Sequence, residues 1–67
     1  MRVSYDRLWK LMKNNKMTKR DLAQAAGFSQ YMMGQFTKAE YVSLKKIATL
    51  CGIFHCNIED IVEIIED

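Results

Sequence analysis

Apolar residues recur at helical spacing in five stretches of the chain. Tyr5, Leu8, Trp9, Leu11 and Met12 form one face of a first helix over about 5–15. Ser4 is placed to cap it, Asp6 lies in its first turn, and Asn14 and Asn15 are poor helix interiors that end it. Thr18 is the expected cap of a second helix over about 19–26, with Asp21 where a carboxylate favours the positive helix end. Leu22, Ala25 and Ala26 are expected to face inward there, and Gly27 to stop it. Ser29 caps a third helix, 30–37, with Met33 and Phe36 inward, and residues 38–42 form a loop. Ser43 caps a fourth over about 44–51, with Leu44, Ile47, Ala48 and Cys51 on one face and Gly52 just past its end. Asn57 caps a fifth over about 58–65, with Asp60 at its third position and an apolar stripe of Ile58, Ile61, Val62 and Ile65. No strand-like alternation stands out, so the pattern predicts an all-α fold.

Composition agrees with that reading. The 67 residues make one domain, 49% of them hydrophobic, with no proline and three glycines. The first residues, MRVSYDRLWK, lack the apolar run of a secretory signal. No stretch approaches the roughly 18 apolar residues of a membrane span. Cys51 and Cys56 are then expected to be reduced thiols in a cytoplasm, and no membrane partner is expected. The net charge is only +2, but it is unevenly spread. All ten Lys and Arg precede residue 47, where the acids are Asp6, Asp21 and Glu40. Glu59, Asp60, Glu63, Glu66 and Asp67 follow with no base among them. A basic working face with an acidic end turned elsewhere fits this distribution.

The second and third helices are separated by only Gly27, Phe28 and Ser29. Helices joined by so short a turn cross steeply, as in a DNA-reading helix-turn-helix. The crossing requires a small residue, Ala23, where the helices approach, and a left-handed turn residue, Gly27. Leu22, Phe28, Met33 and Phe36 fill the wedge, which leaves Gln30, Tyr31, Gly34, Gln35 and Lys38 facing out.

These residues carry a resemblance. TKRDLAQAAGFSQYMMGQF is similar to the helix-turn-helix of the Cro/C1-type (XRE-like) regulators, which typically read T-x-x-x-L-A-x-x-x-G-[apolar]-S-x-x-x-[apolar]-x-x-[apolar]. Thr18, Leu22, Ala23, Gly27, Phe28, Ser29, Met33 and Phe36 occupy the anchor positions. The flanking segments look like a compact stand-alone subgroup from bacteria, phages and mobile elements. The resemblance implies a five-helix, lambda-repressor-like domain that regulates transcription, as a repressor, by reading double-stranded operator DNA with helix 30–37 in the major groove. It implies base contacts by Gln30, Tyr31 and Gln35, with Met32 offering only apolar contact. It implies phosphate contacts by Lys19, Ser29, Lys38, Tyr41 and Ser43, flanked by Lys16 and Arg20. It also implies a homodimer, for which the apolar C-terminal region is the expected surface, with Ile64 out of phase with the stripe. Many relatives pair an Arg in the first helix with a Glu at the end of the third. Met12 and Thr37 stand there in this chain, so apolar packing is expected instead.

Other chemistries find less in the sequence. Cys51, His55 and Cys56 offer no fourth ligand and no paired spacing for structural zinc, so no metal or cofactor is expected. One His, no nucleophile motif and no phosphate-cradling loop argue against catalysis. No small-molecule ligand is evident. The remaining alternative is a protein-binding helix-turn-helix, such as an antitoxin, an adaptor or a modulator of another regulator. The Met- and Tyr-rich third helix is the feature that alternative uses.

Overall fold

A computed structural model describes residues 1–66; Asp67, last of the acidic C-terminal residues, lies outside the described residues. The order is β1 (Arg2–Ser4), α1 (Asp6–Asn14), α2 (Lys19–Ala26), α3 (Gln30–Thr37), α4 (Leu44–Phe54), a 3₁₀ turn (Ile58–Asp60) and β2 (Glu63–Ile65). The five-helix expectation is therefore corrected to four α-helices among the described residues. The two chain ends pair as an antiparallel two-stranded sheet, with Val3 opposite Ile64.

Each helix contributes to one core. Leu8 of α1, Leu22 of α2, Phe36 of α3 and Leu50 of α4 converge with Ile61, which follows the 3₁₀ turn, and all five are fully buried. Burying a side chain of this size contributes about 1.5–3 kcal/mol. The ring of Phe36 takes Tyr5 edge-on at 4.9 Å and stacks on Phe28 at 5.8 Å. The three aromatics therefore join the start of α1, the turn and α3.

Three caps fall where the sequence puts them. Thr18 accepts from the Asp21 N–H while the Asp21 carboxylate accepts from the Thr18 N–H, a reciprocal pair that satisfies two otherwise orphaned donors. Those hydrogen bonds hold the Asp21 carboxyl below the usual carboxylate range. Ser29 caps α3 and Ser43 caps α4, each accepting from the N–H three residues on.

Other local expectations need correction. Ser4 lies in β1 and is buried; Tyr5 precedes α1, and Ser4 Oγ only accepts from the Asp6 N–H at 3.3 Å. Ala25 and Ala48 face solvent, and Leu44 is 70% exposed, so the inner face of α4 is Ile47 and Leu50. α4 runs through Gly52 to Phe54 and ends at His55, which takes the left-handed conformation (φ 53°) expected of a glycine cap. Burial of part of Ile53 and Phe54 against the core outweighs the cost of a helical glycine, about 1 kcal/mol.

The predicted fifth helix dissolves into the 3₁₀ turn and β2. Asp60 accepts from the Asn57 N–H, as the cap pattern suggested, but the helix does not propagate. Ile61, Val62, Ile64 and Ile65 are β-branched, and a three-residue N-terminal strand pairs with Glu63–Ile65. Arg7 of α1 fastens this end: its guanidinium donates to the Glu59 carbonyl at 2.7 Å and lies 3.4 Å from the Glu63 carboxylate.

Candidate nucleic-acid interface

The turn between α2 and α3 is built as the crossing demands. Gly27 takes φ 70° and ends α2, and the Phe28 N–H returns to the Ala23 carbonyl at 2.9 Å. Leu22, Met33 and Phe36 are buried, Ala23 and Phe28 pack partly buried against the core, and Gly27 is exposed at the bend. That packing fixes which side of α3 is left over.

The leftover side is a ridge of Gln30, Gly34 and Lys38 between two concave surfaces. On one side, an open groove of about 640 Å³ is lined by Lys19 and Arg20 from α2, Phe28 from the turn, and Gln30, Thr37 and Lys38. On the other, a hollow of about 380 Å³ is lined by Gln30, Tyr31, Gln35, Lys38 and Glu40. Gln30, Tyr31 and Gln35, the expected base readers, thus line one hollow, the first two exposed and Gln35 half-buried. Tyr31 is 75% exposed there, so its ring and hydroxyl are both accessible.

The predicted phosphate contacts divide. Ser29, at the start of α3, and Lys38, at its end, lie on the ridge helix, and Ser43 caps α4. Lys19 lies in the α2–α3 groove, where its ammonium rests 4.7 Å from the centre of the Trp9 ring and donates to Thr37 Oγ1 at 3.2 Å. Thr37 in turn donates to the Met33 carbonyl. The apolar replacement expected at Met12 and Thr37 is therefore only half found. Met12 is buried, but Thr37 is exposed and joins α3 to α2 through Lys19. Tyr41 lies away from the ridge, in a separate apolar groove with Val3, Leu44, Ile58 and Ile64, and donates to the Met1 carbonyl at 3.3 Å.

Two residues in this region escaped the sequence reading. Tyr5 was read as one more apolar position of the first helix. Its hydroxyl donates to the Glu40 carbonyl at 2.6 Å and ties the α3–α4 loop to the start of α1. Burial pushes the Tyr5 phenol above its usual range. Lys46 reaches from α4 to Gln35, donating to Oε1 at 3.1 Å. No spacing rule links those two positions, because the contact depends on how α4 crosses α3.

A steep two-helix unit with a three-residue turn, a polar outer edge and a basic flank defines a helix-turn-helix domain. Residues 7–67 match the Cro/C1-type HTH DNA-binding domain family, and the chain belongs to it. A solved structure titled "Crystal structure of transcriptional regulator VanUg, Form II" is similar throughout. Its TM-score is 0.93 at 36% identity, over 98% of this chain and 88% of that one. No curated protein matches the sequence. Fold and family are those of a DNA-binding regulator. No helix among the described residues is long and apolar enough to cross a membrane.

Proposed function

We propose that this chain is a sequence-specific transcriptional repressor that works in the cytoplasm as a homodimer. α3 lies in the major groove of operator DNA, with Gln30, Tyr31 and Gln35 toward the bases. Lys19, Ser29, Lys38 and Ser43, with Arg20 beside them, take the phosphates that position it. The carrying observation is the exposed ridge of α3, with amide side chains flanked by the Lys19 and Arg20 groove. The resemblance to a structure named as a transcriptional regulator supports the same reading. Tyr41, which lines the apolar groove and not the hollows beside the ridge, belongs on this account to the dimer surface rather than to the phosphates. That surface is the apolar groove at the paired chain ends, where Tyr41, Leu44, Ile58 and Ile64 are all exposed. A two-fold arrangement of such copies matches an inverted-repeat operator.

The test is selection of duplexes from a random or genomic library, followed by salt titration of the winner. Enrichment of an inverted repeat, with log K falling linearly as log salt rises, is the expected result. Failure to retain any duplex at low salt contradicts the proposal and favours a protein-binding role.

A further inference from the structure

Gln35 and Lys46 are both half-buried, and their contact crosses from the reading helix to α4. An ammonium group only donates, so it must meet the oxygen of the Gln35 amide and not the nitrogen. Chemistry alone therefore settles which way the amide is turned: Oε1 toward α4 and the –NH₂ away from it. Lys46 is also oddly placed for its own helix. It occupies the first turn of α4, directly after the Ser43 cap, where the helix dipole disfavours a cation. A lysine there costs local stability, and the ion–amide hydrogen bond to Gln35 is what it returns.

We infer that Lys46 is a specificity-determining residue: by holding the Gln35 oxygen it makes Gln35 a donor, so that the base it faces is guanine rather than adenine. This deepens the DNA-reading proposal and rests on it. A glutamine reads adenine by pairing both amide atoms, the oxygen accepting from N6 and the nitrogen donating to N7. Lys46 takes one lone pair of the oxygen and turns it toward α4, and its positive charge disfavours a second donor there, so the edge turned to the base is the –NH₂. Guanine presents only acceptors there, N7 and O6, whereas adenine sets its own N6 donor beside N7. Gln30 lines the same hollow from the start of α3, has no Lys46 contact, and serves as the internal comparison. Lys46 acts through Gln35, so it is a positioning residue and its signature is a changed preference, not merely a weakened complex.

The experiment selects duplexes with the full chain and with K46M, K46A, K46R and Q35A, after thermal melting establishes which variants fold. The parent is expected to prefer guanine at one position of each half-site. K46M and K46A keep the aliphatic packing to different extents, and either one that melts cooperatively carries the test. Each is expected to move that one position toward adenine, changing the relative preference about tenfold, with the other positions unaltered. K46R keeps donors at the site and retains guanine. Q35A loses the preference at that position, and combining it with K46M changes nothing further. A K46M or K46A protein that still selects guanine overturns the inference. So does one that binds every duplex more weakly by the same factor with a shallower salt slope, the mark of a phosphate contact. Those two results leave the DNA-reading proposal standing. A parent protein that enriches no sequence overturns that proposal, and this inference with it.

Discussion

Tyr5 shows how one hydroxyl fixes the loop that follows α3. Its ring lies edge-on to Phe36 inside the core, and its OH reaches the Glu40 carbonyl. Tyr5→Phe keeps the ring and removes the hydrogen bond, and is expected to cost about 1 kcal/mol in chemical denaturation at neutral pH. The pH dependence gives a second check. Burial raises the Tyr5 pKa in the folded protein. The folded state therefore favours the neutral phenol, and its contribution is complete below the unfolded value, about pH 10. It is lost as pH rises beyond that toward the folded value. The parent is expected to lose stability over this alkaline range, and Tyr5→Phe to lose less. Identical alkaline profiles would show that the hydroxyl is not held as described. None of this could be read from the sequence, where Tyr5 is one apolar letter at a helical spacing.

At the level of elements, the bounds and caps of α2, the turn and α3 were legible, although Ala25 faces solvent rather than inward. Thr18, Gly27 and Ser29 act through local backbone geometry, and local geometry is what sequence encodes directly. The two ends of the chain were not legible. A run such as Ile58 to Ile65 satisfies helical spacing, yet its β-branched residues suit a strand equally well. The choice was made by pairing with Arg2–Ser4, some sixty residues away in sequence. Gly52 misled in the same manner, since partial burial of Ile53 and Phe54 carried α4 past it. The outer side of α3 that carries Gln30, Tyr31 and Gln35 was legible from the inward packing of Met33 and Phe36, but the Lys46 and Thr37 contacts beside it were not. They depend on tertiary crossing. Gly34 offers an element-scale test. It lies inside α3 with ordinary helical dihedrals, and nothing lies within 4 Å of where a Cβ would be added. Gly34→Ala is expected to raise stability by about 1 kcal/mol through helix propensity. An unchanged or lowered melting temperature would show that α3 is not a regular helix at that point.

Over the whole molecule, the proposed function assigns different tasks to two surfaces. The α3 ridge with its basic groove is one, and the apolar groove at the paired termini is the other. Ile64 is 57% exposed on that second surface, opposite Val3 across the two-stranded sheet. Ile64→Glu adds a charge there without entering the core. On the dimer reading it is expected to convert the protein to a monomer in sedimentation at micromolar concentration, with the circular dichroism of the parent. A parent protein that already sediments as a monomer, free and on DNA, would remove the dimer from the account.

The central claim, that α3 reads bases while its flanks hold phosphates, is tested most directly by comparing Gln30→Ala with Lys19→Ala on two duplexes, the selected operator and a scrambled one, across a salt series. Gln30→Ala is expected to weaken operator binding by about 1–3 kcal/mol per half-site, leaving the scrambled duplex and the salt slope unchanged. Lys19→Ala is expected to weaken both duplexes alike and to make the slope shallower by roughly one unit per subunit. If both variants bind the operator as the parent does, or if Lys19→Ala changes base preference and Gln30→Ala does not, α3 is not the reading helix in the orientation described.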